Sequence, residues 1–171
     1  MEAKEPNWEV DDPAEVLLGL LDFYREVVIA KLDGLGEDDL SGSRLPSGWS
    51  PIELLKHLVF MERRWLRWGF LAEQVPQPWG DNGPDQRWRV EPGDTLAGLA
   101  DQLREGGRRT REIVTGRSLT ERAAVGGRFT GDREPPALSW ILGHVLQEYA
   151  RHAGHLDIVR ELADGRTGED T

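Results

Sequence analysis

One stretch of the sequence, from Pro136 to Gly165, constrains the fold more than any other. Its apolar residues recur at intervals of three and four, the period of a helix that packs one face against a core. These residues are Leu138, Ile141, Leu142, Val145, Tyr149, Leu156, Val159 and Leu162. The pattern predicts a long amphipathic helix near the end of the chain.

Four titratable side chains run along or beside this apolar face: His144, Glu148, His152 and His155. They are separated by four, four and three residues, so they rise from successive turns of one stripe. A neutral imidazole and a carboxylate four residues apart can bind one metal ion together, and helical bundles build such sites from facing helices. The alternative is that the histidines are buried polar groups of a helical core.

The remaining histidine, His57, lies in a second strongly apolar helical segment. The apolar face of that segment is formed by Leu54, Leu58, Met61, Trp65 and Trp68. Because His57 sits at the edge of this face, about two turns into the helix, a facing helix can bring Glu148 and His152 to it. The spacing therefore permits, without requiring, a site made of these three residues.

The starts of two helices are marked by capping residues. Asp12 followed by proline predicts the start of the first helix, which two nearby glycines end at 34 and 36. Ser50, the following proline and Glu53 form a capping box, which starts the segment that carries His57. That second helix is expected to run to about Glu73, and the stretch 37–48 before it to be a loop.

A third helix is expected to begin with Asp94 as its cap and to contain the pair Gly106 and Gly107. Two glycines weaken a helix, so the pair predicts a kink or a close helix crossing. The long loop before this helix, 75–94, carries Trp79 and Trp88, which are candidates for lining a pocket. The loop after it, 116–136, has no clear pattern beyond a short extended piece at 123–129.

The other tryptophans and the arginine clusters have plainer expected roles. Trp65, Trp68 and Trp140 occur at helical spacing and are expected in the core, while Trp49 precedes the capping box as a hydrophobic staple. Two arginine groups lie on helices that also carry glutamates, which favours a solvated charged face. The groups are Arg63, Arg64 and Arg67, and Arg104, Arg108, Arg109 and Arg111.

Composition limits the function classes. The chain has 171 residues, no cysteine and a net charge of −10. The charge opposes nucleic-acid binding. No apolar run is long enough to span a membrane and the acidic start is unlike a signal peptide, so a cytoplasmic location is expected. Without cysteine the protein supplies no thiol nucleophile of its own.

Four long amphipathic segments and no clear strand predict an all-α, four-helix bundle. The chain is expected to be one domain, 1–171, with loose ends at 1–11 and 165–171. The long loop between the second and third helices permits the crossover that an up-down-down-up arrangement needs.

Two motifs resemble one known family. GWSPIELLKHL at 48–58 and EYARHAGHLDIVRELADGRTGE at 148–169 are similar to the DinB-like superfamily of metal-binding four-helix bundles, in the branch related to mycothiol-dependent maleylpyruvate isomerase. The resemblance implies a left-handed up-down-down-up bundle, often a homodimer. It also implies a divalent ion held by His57, Glu148 and His152, with zinc expected and nickel, iron or manganese as alternatives. Isomerases of this branch commonly carry a further C-terminal domain, so an activity other than isomerisation is expected.

The resemblance further implies thiol S-transfer, in which a low-molecular-weight thiol such as mycothiol is activated to attack an electrophilic substrate. Two alternatives stay open: a non-enzymatic metal-binding stress or interaction protein, and a metal-dependent hydrolase. His144 and His155 are expected to pack beside the ligands and orient them through hydrogen bonds. Alternatively, one of the two replaces Glu148 as a ligand.

Overall fold

The computed structural model describes residues 4–168 and shows an all-α bundle. Its helices are α1 (Pro13–Leu32), α2 (Glu37–Ser41), α3 (Pro51–Arg63), α4 (Leu96–Val114) and α5 (Leu138–Asp164), and a π-helical segment (Arg64–Phe70) continues α3. Within residues 4–168 the only β pairing consists of isolated bridges. The predicted all-α fold is confirmed. No helix in this part of the chain is both long and apolar enough to cross a membrane.

The core lies between the four long helices, α1, α3, α4 and α5. Each contributes leucines that are almost completely buried, because their apolar residues recur at helical spacing. Examples are Leu21 of α1, Leu58 of α3, Leu103 of α4 and Leu142 of α5. This packing brings the two helices that carry the histidines side by side.

Contacts between helix ends show how the helices are oriented in pairs. Arg25 lies over the ring of Tyr149 at 5.6 Å, and Lys31, later in α1, pairs with Asp157, later in α5, so these helices run in the same direction. The ring of His57 lies 5.3 Å from that of His152, and Glu62, farther along α3, accepts from Tyr149, which comes earlier in α5, so α3 and α5 run in opposite directions. The complete up-down-down-up order stays a prediction.

Two helix starts are as predicted and one is not. The Asp12 side chain accepts a hydrogen bond from the Ala14 N–H at 2.8 Å, and Ser50 begins α3 with its capping box. The cap of α4 is Thr95 rather than Asp94. The carboxylate of Asp94 is occupied elsewhere, since it pairs with Lys56 of α3 at 2.7 Å, and this ion pair joins α3 to the start of α4.

The second predicted helix does not continue as an α-helix to Glu73, because it becomes a π-helix after Arg63. A loop from the later part of the chain is hydrogen-bonded to the carbonyl oxygens of this segment. The N–H of Arg128 donates to Trp68 O at 3.1 Å and the N–H of Ala124 donates to Phe70 O at 2.8 Å. These oxygens therefore have partners other than the next helical turn, which explains why the helical segment ends at Phe70.

Two other local expectations change. The stretch 37–48, expected as a loop, begins with the short helix α2. The expected extended piece at 123–129 is not a strand; the pairing near it is one bridge between Arg122 and Ala137. The glycine pair behaves as predicted at one position: a Cβ on Gly107 would lie 2.9 Å from the guanidinium of Arg25, so the glycine permits a close approach of α1 to α4.

Three burial expectations are wrong. Trp140 and Leu162 were expected in the core but are 55% and 51% exposed. Both lie where neighbouring elements leave α5 uncovered, so helical spacing alone overestimates the width of its buried face. Arg64 was expected on a solvated face but is buried, because it pairs with the buried carboxylate of Asp81. Trp65 and Trp68 are only half-buried.

Candidate metal centre

Three side chains from two helices converge at one point in the bundle. His57 comes from α3, and Glu148 and His152 come from adjacent turns of α5. The Nε2 atoms of His57 and His152 lie 3.7 Å and 3.5 Å from Oε2 of Glu148. Each residue offers a ligand atom, and these atoms all lie within 4.8 Å of one another. Two imidazoles and a carboxylate in this arrangement can hold a divalent ion.

The orientation of His57 is fixed from behind by Asp81. Its Nδ1 lies 3.0 Å from Oδ2 of this fully buried aspartate, whose other oxygen accepts from Arg64. Burial alone would raise the pKa of Asp81, but hydrogen bonds with His57 and Arg64 lower it below its usual value. Because an ionised carboxylate only accepts, the proton of a neutral His57 lies on Nδ1 and the lone pair of Nε2 faces the centre.

Asp81 was missed in the sequence analysis. It lies in the loop 75–94 among several other acidic residues, and nothing in the sequence separates it from them. Only the folded loop shows that it contacts His57.

His152 also has a partner behind it. Its Nδ1 lies 3.3 Å from Nδ1 of His155, a contact in which one imidazole donates and the other accepts. Burial, followed by the nearby charge of His57, lowers the pKa of His152 to about 4. His152 is therefore neutral near pH 7, the state in which an imidazole can bind a metal.

Glu148 is ionised and lies on the more open side of the group. The pKa of Glu148 falls to about 2, and the largest cause is the imidazole of His57. The distance between them is longer than that of a normal hydrogen bond. The charges of His152 and His144 lower this pKa further. The side chain of Glu148 is 20% exposed, compared with 7% for His152. The carboxylate is thus the part of the group that solvent reaches most easily.

The two additional histidines of the stripe lie on either side of the convergent group. Nε2 of His144 is 3.9 Å from Oε1 of Glu148, and its ring stacks on Trp140 at 5.3 Å with an interplanar angle of 4°. His155 contacts His152, and its ring lies 6.0 Å from that of Trp49. Neither belongs to the group whose donor atoms converge within 4.8 Å.

The two loop tryptophans are placed differently. Trp88 stacks on His57 with ring centroids 4.2 Å apart and also lies 5.4 Å from His152. With Trp49 it lines a cavity of about 730 Å³ beside the histidines. Trp79 lines a different cavity, of about 490 Å³, and covers the guanidinium of Arg64 at 4.3 Å. Trp88 therefore shields one side of the centre, while Trp79 supports the residues behind Asp81.

A second polar cluster, which the sequence analysis missed, lies deeper in the bundle. Arg25 donates to both carboxylate oxygens of Glu62, at 3.0 Å and 2.6 Å. The hydroxyls of Tyr149 and Thr110 donate to the same carboxylate. A signal was present, because Glu62 takes the next position, four residues on, after Leu54 and Leu58 on the buried face of α3.

Comparison with known proteins places this arrangement in a family. A search of curated proteins finds no match. The model of the mycothiol S-transferase family matches residues 16–165, which include all five helices except the first few residues of α1. The chain belongs to the mycothiol S-transferase family, a DinB-like family.

Proposed function

We propose that this protein is a metal-dependent thiol S-transferase that joins a low-molecular-weight thiol, of the mycothiol type, to an electrophilic substrate. The observation that carries the proposal is the convergence of His57, Glu148 and His152 within a chain of the mycothiol S-transferase family. These three residues are the proposed ligands of a divalent ion, with zinc as the first choice and nickel, iron or manganese as alternatives.

Three protein ligands are what a catalytic site provides, because a further position stays open for a substrate. When bound, such an ion lowers the pKa of a thiol and supplies it as the thiolate at neutral pH. The partial exposure of Glu148 supports access to this position. A sealed site would have favoured a purely structural ion.

The residues around the group support and shield it. Asp81 orients His57, and His155 contacts the far nitrogen of His152. Both supports limit rotation of the imidazoles and keep Nε2 directed at the centre. The indole of Trp88 on His57 excludes water from that side, which strengthens electrostatic interactions at the site.

The proposed reaction forms one carbon–sulfur bond. The sulfur of the small thiol supplies the electron pair, because the chain contains no cysteine. The thiol proton passes to solvent. In a substitution the leaving group departs with the electrons of the broken bond, and in an addition the adjacent atom of the substrate takes up a proton. No oxidant or reductant is required.

The assembly and the location are part of the proposal. A homodimer follows from the family resemblance, and light scattering on the purified protein tests it. A cytoplasmic location is proposed because small thiols are kept reduced there. Neither nucleic acid nor membrane is a proposed partner.

The first test is metal content, measured by elemental mass spectrometry on protein purified without a metal-binding tag. We expect about one ion per chain in the wild type, and its loss in His152→Ala. His144→Ala is the matched control, because it removes a histidine from the same helix face without removing a proposed ligand. No ion in the wild type, even after zinc, nickel, iron and manganese are added, would overturn the proposal.

The second test is thiol consumption by the metal-loaded protein with mycothiol and 1-chloro-2,4-dinitrobenzene, followed by chloride release and product absorbance. We expect turnover with the wild type and none above background with His152→Ala. A loaded protein that consumes no thiol with this or any of a panel of electrophiles would leave a metal-binding protein without transferase activity.

A further inference from the structure

A cavity of about 720 Å³ lies beside the metal centre, between the start of α5 and the loop before it. Aromatic rings and arginines line it together, and the main lining residues are Trp65, Trp140, Phe129, Arg122, Arg128 and Arg133. Two carboxylates, Asp132 and Glu134, also belong to its lining. The cavity is thus more basic than the chain as a whole, whose net charge is −10.

Arg128 is the unusual residue of this cavity. Its guanidinium lies 4.1 Å from the centre of the Trp65 ring. No carboxylate in residues 4–168 pairs with it: Glu134 pairs with Arg122, and Asp132 accepts from Thr130. Burial, followed by the charge of Arg64, lowers the pKa of Arg128. A half-buried cation without a counter-ion is costly, and an anionic ligand removes that cost.

The backbone of Arg128 is held in place before any ligand arrives. Its N–H donates to Trp68 O in the π-helical segment. At the preceding residue, Gly127, a Cβ would lie 2.0 Å from that same oxygen, so only glycine permits the contact. The arginine therefore starts from a fixed anchor, which reduces the entropy that binding an anion costs.

The cavity shares a wall with the metal centre. The rings of Trp65 and Trp140 contact the ring of His144 at 4.4 Å and 5.3 Å. His144 in turn lies 3.9 Å from Glu148. The aromatic wall of the cavity is therefore connected to the proposed metal ligands through His144 and Glu148.

We propose that this cavity binds the electrophilic substrate, and that this substrate is a planar conjugated carboxylate. Its ring or conjugated system packs against Trp65 and Trp140, and its carboxylate pairs with Arg128. The assignment names the substrate class of the S-transfer proposed above and rests on that function for its catalytic meaning. An arginine that stacks on an indole can still present its N–H groups to a carboxylate, which favours this anion over a neutral ring.

The binding test uses two unreactive probes that differ mainly in charge, 3,5-dinitrobenzoate and 1,3-dinitrobenzene. Affinities are measured by calorimetry and by quenching of tryptophan fluorescence, without thiol. We expect the wild type to bind the anion at least about tenfold more tightly than the neutral ring. Arg128→Met, which keeps the apolar stem, should remove that preference and leave the affinity for the neutral probe unchanged.

Two further variants control for general effects of charge. Arg128→Lys keeps the charge without the planar fork and should bind the anion with intermediate affinity. Arg87→Met removes an exposed arginine from the cavity on the Trp88 side and should change neither affinity. Equal affinity of wild type and Arg128→Met for dinitrobenzoate would overturn the assignment. If Arg128→Met does not fold, the wild type alone decides: equal affinities for the anionic and the neutral probe would overturn the assignment.

Turnover separates this inference from the proposed function. With thiol present, the ratio of kcat/KM for 4-chloro-3,5-dinitrobenzoate to that for 1-chloro-2,4-dinitrobenzene should fall about tenfold in Arg128→Met. His152→Ala should lose turnover of both and still bind 3,5-dinitrobenzoate. Charge-selective binding without any turnover would retain the cavity assignment and reject the transferase. Turnover with an unchanged ratio would retain the transferase and reject the cavity assignment.

Discussion

The bundle contains two polar clusters between α3 and α5, the deeper of which also includes residues of α1 and α4, and they differ in whether their hydrogen bonds are satisfied. In the deeper cluster, around Glu62 and Tyr149, the acceptor oxygens of one carboxylate meet donors from Arg25, Thr110 and the tyrosine itself. Charge and hydrogen bonding are both balanced there. This cluster needs nothing from outside the chain.

The centre of the second cluster consists of acceptors alone when the proton of each neutral imidazole lies on its Nδ1 atom. Nε2 of His57, Nε2 of His152 and the carboxylate of Glu148 face one another, once the imidazole protons lie on the nitrogens directed at Asp81 and His155. Lone pairs that face one another favour a cation between them. The comparison shows that buried polar groups do not by themselves indicate a binding site. An excess of acceptors over donors does indicate one.

The largest expected effect comes from breaking the balanced cluster. Glu62→Gln leaves the buried guanidinium of Arg25 without its counter-charge, so the free energy of unfolding should fall by about 3–5 kcal/mol. Urea unfolding followed by circular dichroism measures this. The double variant Arg25→Met/Glu62→Met should have a free energy of unfolding closer to that of the wild type, because neither charge is then left buried alone. A loss below 1 kcal/mol in Glu62→Gln would show that the pair is not structurally important.

The second expected effect concerns the unbalanced cluster and appears only with metal. Zinc at a concentration 100 times its dissociation constant should stabilise the wild type by about 2.7 kcal/mol. Glu148→Gln should lose most of this gain, which is measured for each protein against its own metal-free stability. Equal stabilisation by zinc in the two proteins would place the ion elsewhere.

A smaller effect is expected when only the support of a ligand is changed. Asp81→Asn keeps the shape of the side chain and removes the charge that orients His57, so zinc affinity should fall about 10–100-fold. Competition with a chromogenic chelator measures this. Asp85→Asn, an exposed change in the same loop, serves as the control and should have no effect.

The smallest expected effect is the alkaline pH dependence of the balanced cluster. Burial, followed by the charge of Glu62, raises the pKa of Tyr149 well above its usual value. The unfolded chain releases this proton above about pH 10 while the folded chain keeps it. Stability that is fully present below pH 10 is therefore lost as the pH rises further, by at most about 1.4 kcal/mol per pH unit. Tyr149→Phe should remove this part of the slope in urea titrations between pH 9 and 11.

The helices were predictable from the sequence because their signals are local. The spacing of apolar residues and the caps at Asp12 and Ser50 act within one or two turns. The convergence of His57 with Glu148 and His152 was foreseen as possible from spacing, and the family resemblance selected it. The choice of these three as ligands stays a prediction.

Features that depend on contacts between distant parts of the chain were not predictable. Asp81 reaches His57 only because the loop 75–94 folds back over α3. The π-helical segment ends where the loop around Gly127 contacts the carbonyl of Trp68. The exposure of Trp140 likewise depends on which neighbours cover the start of α5. A single sequence contains no signal for these pairings.

The contact between Gly127 and the carbonyl of Trp68 can serve as a filter for related sequences. Any side chain at 127 would push the loop from the π-helical segment, and Arg128 would lose its anchor with it. A relative with a larger residue at this position should therefore lack the aromatic and basic cavity, even where the histidines and the glutamate are present. Such relatives would share the proposed metal ligands and differ in the substrates they accept.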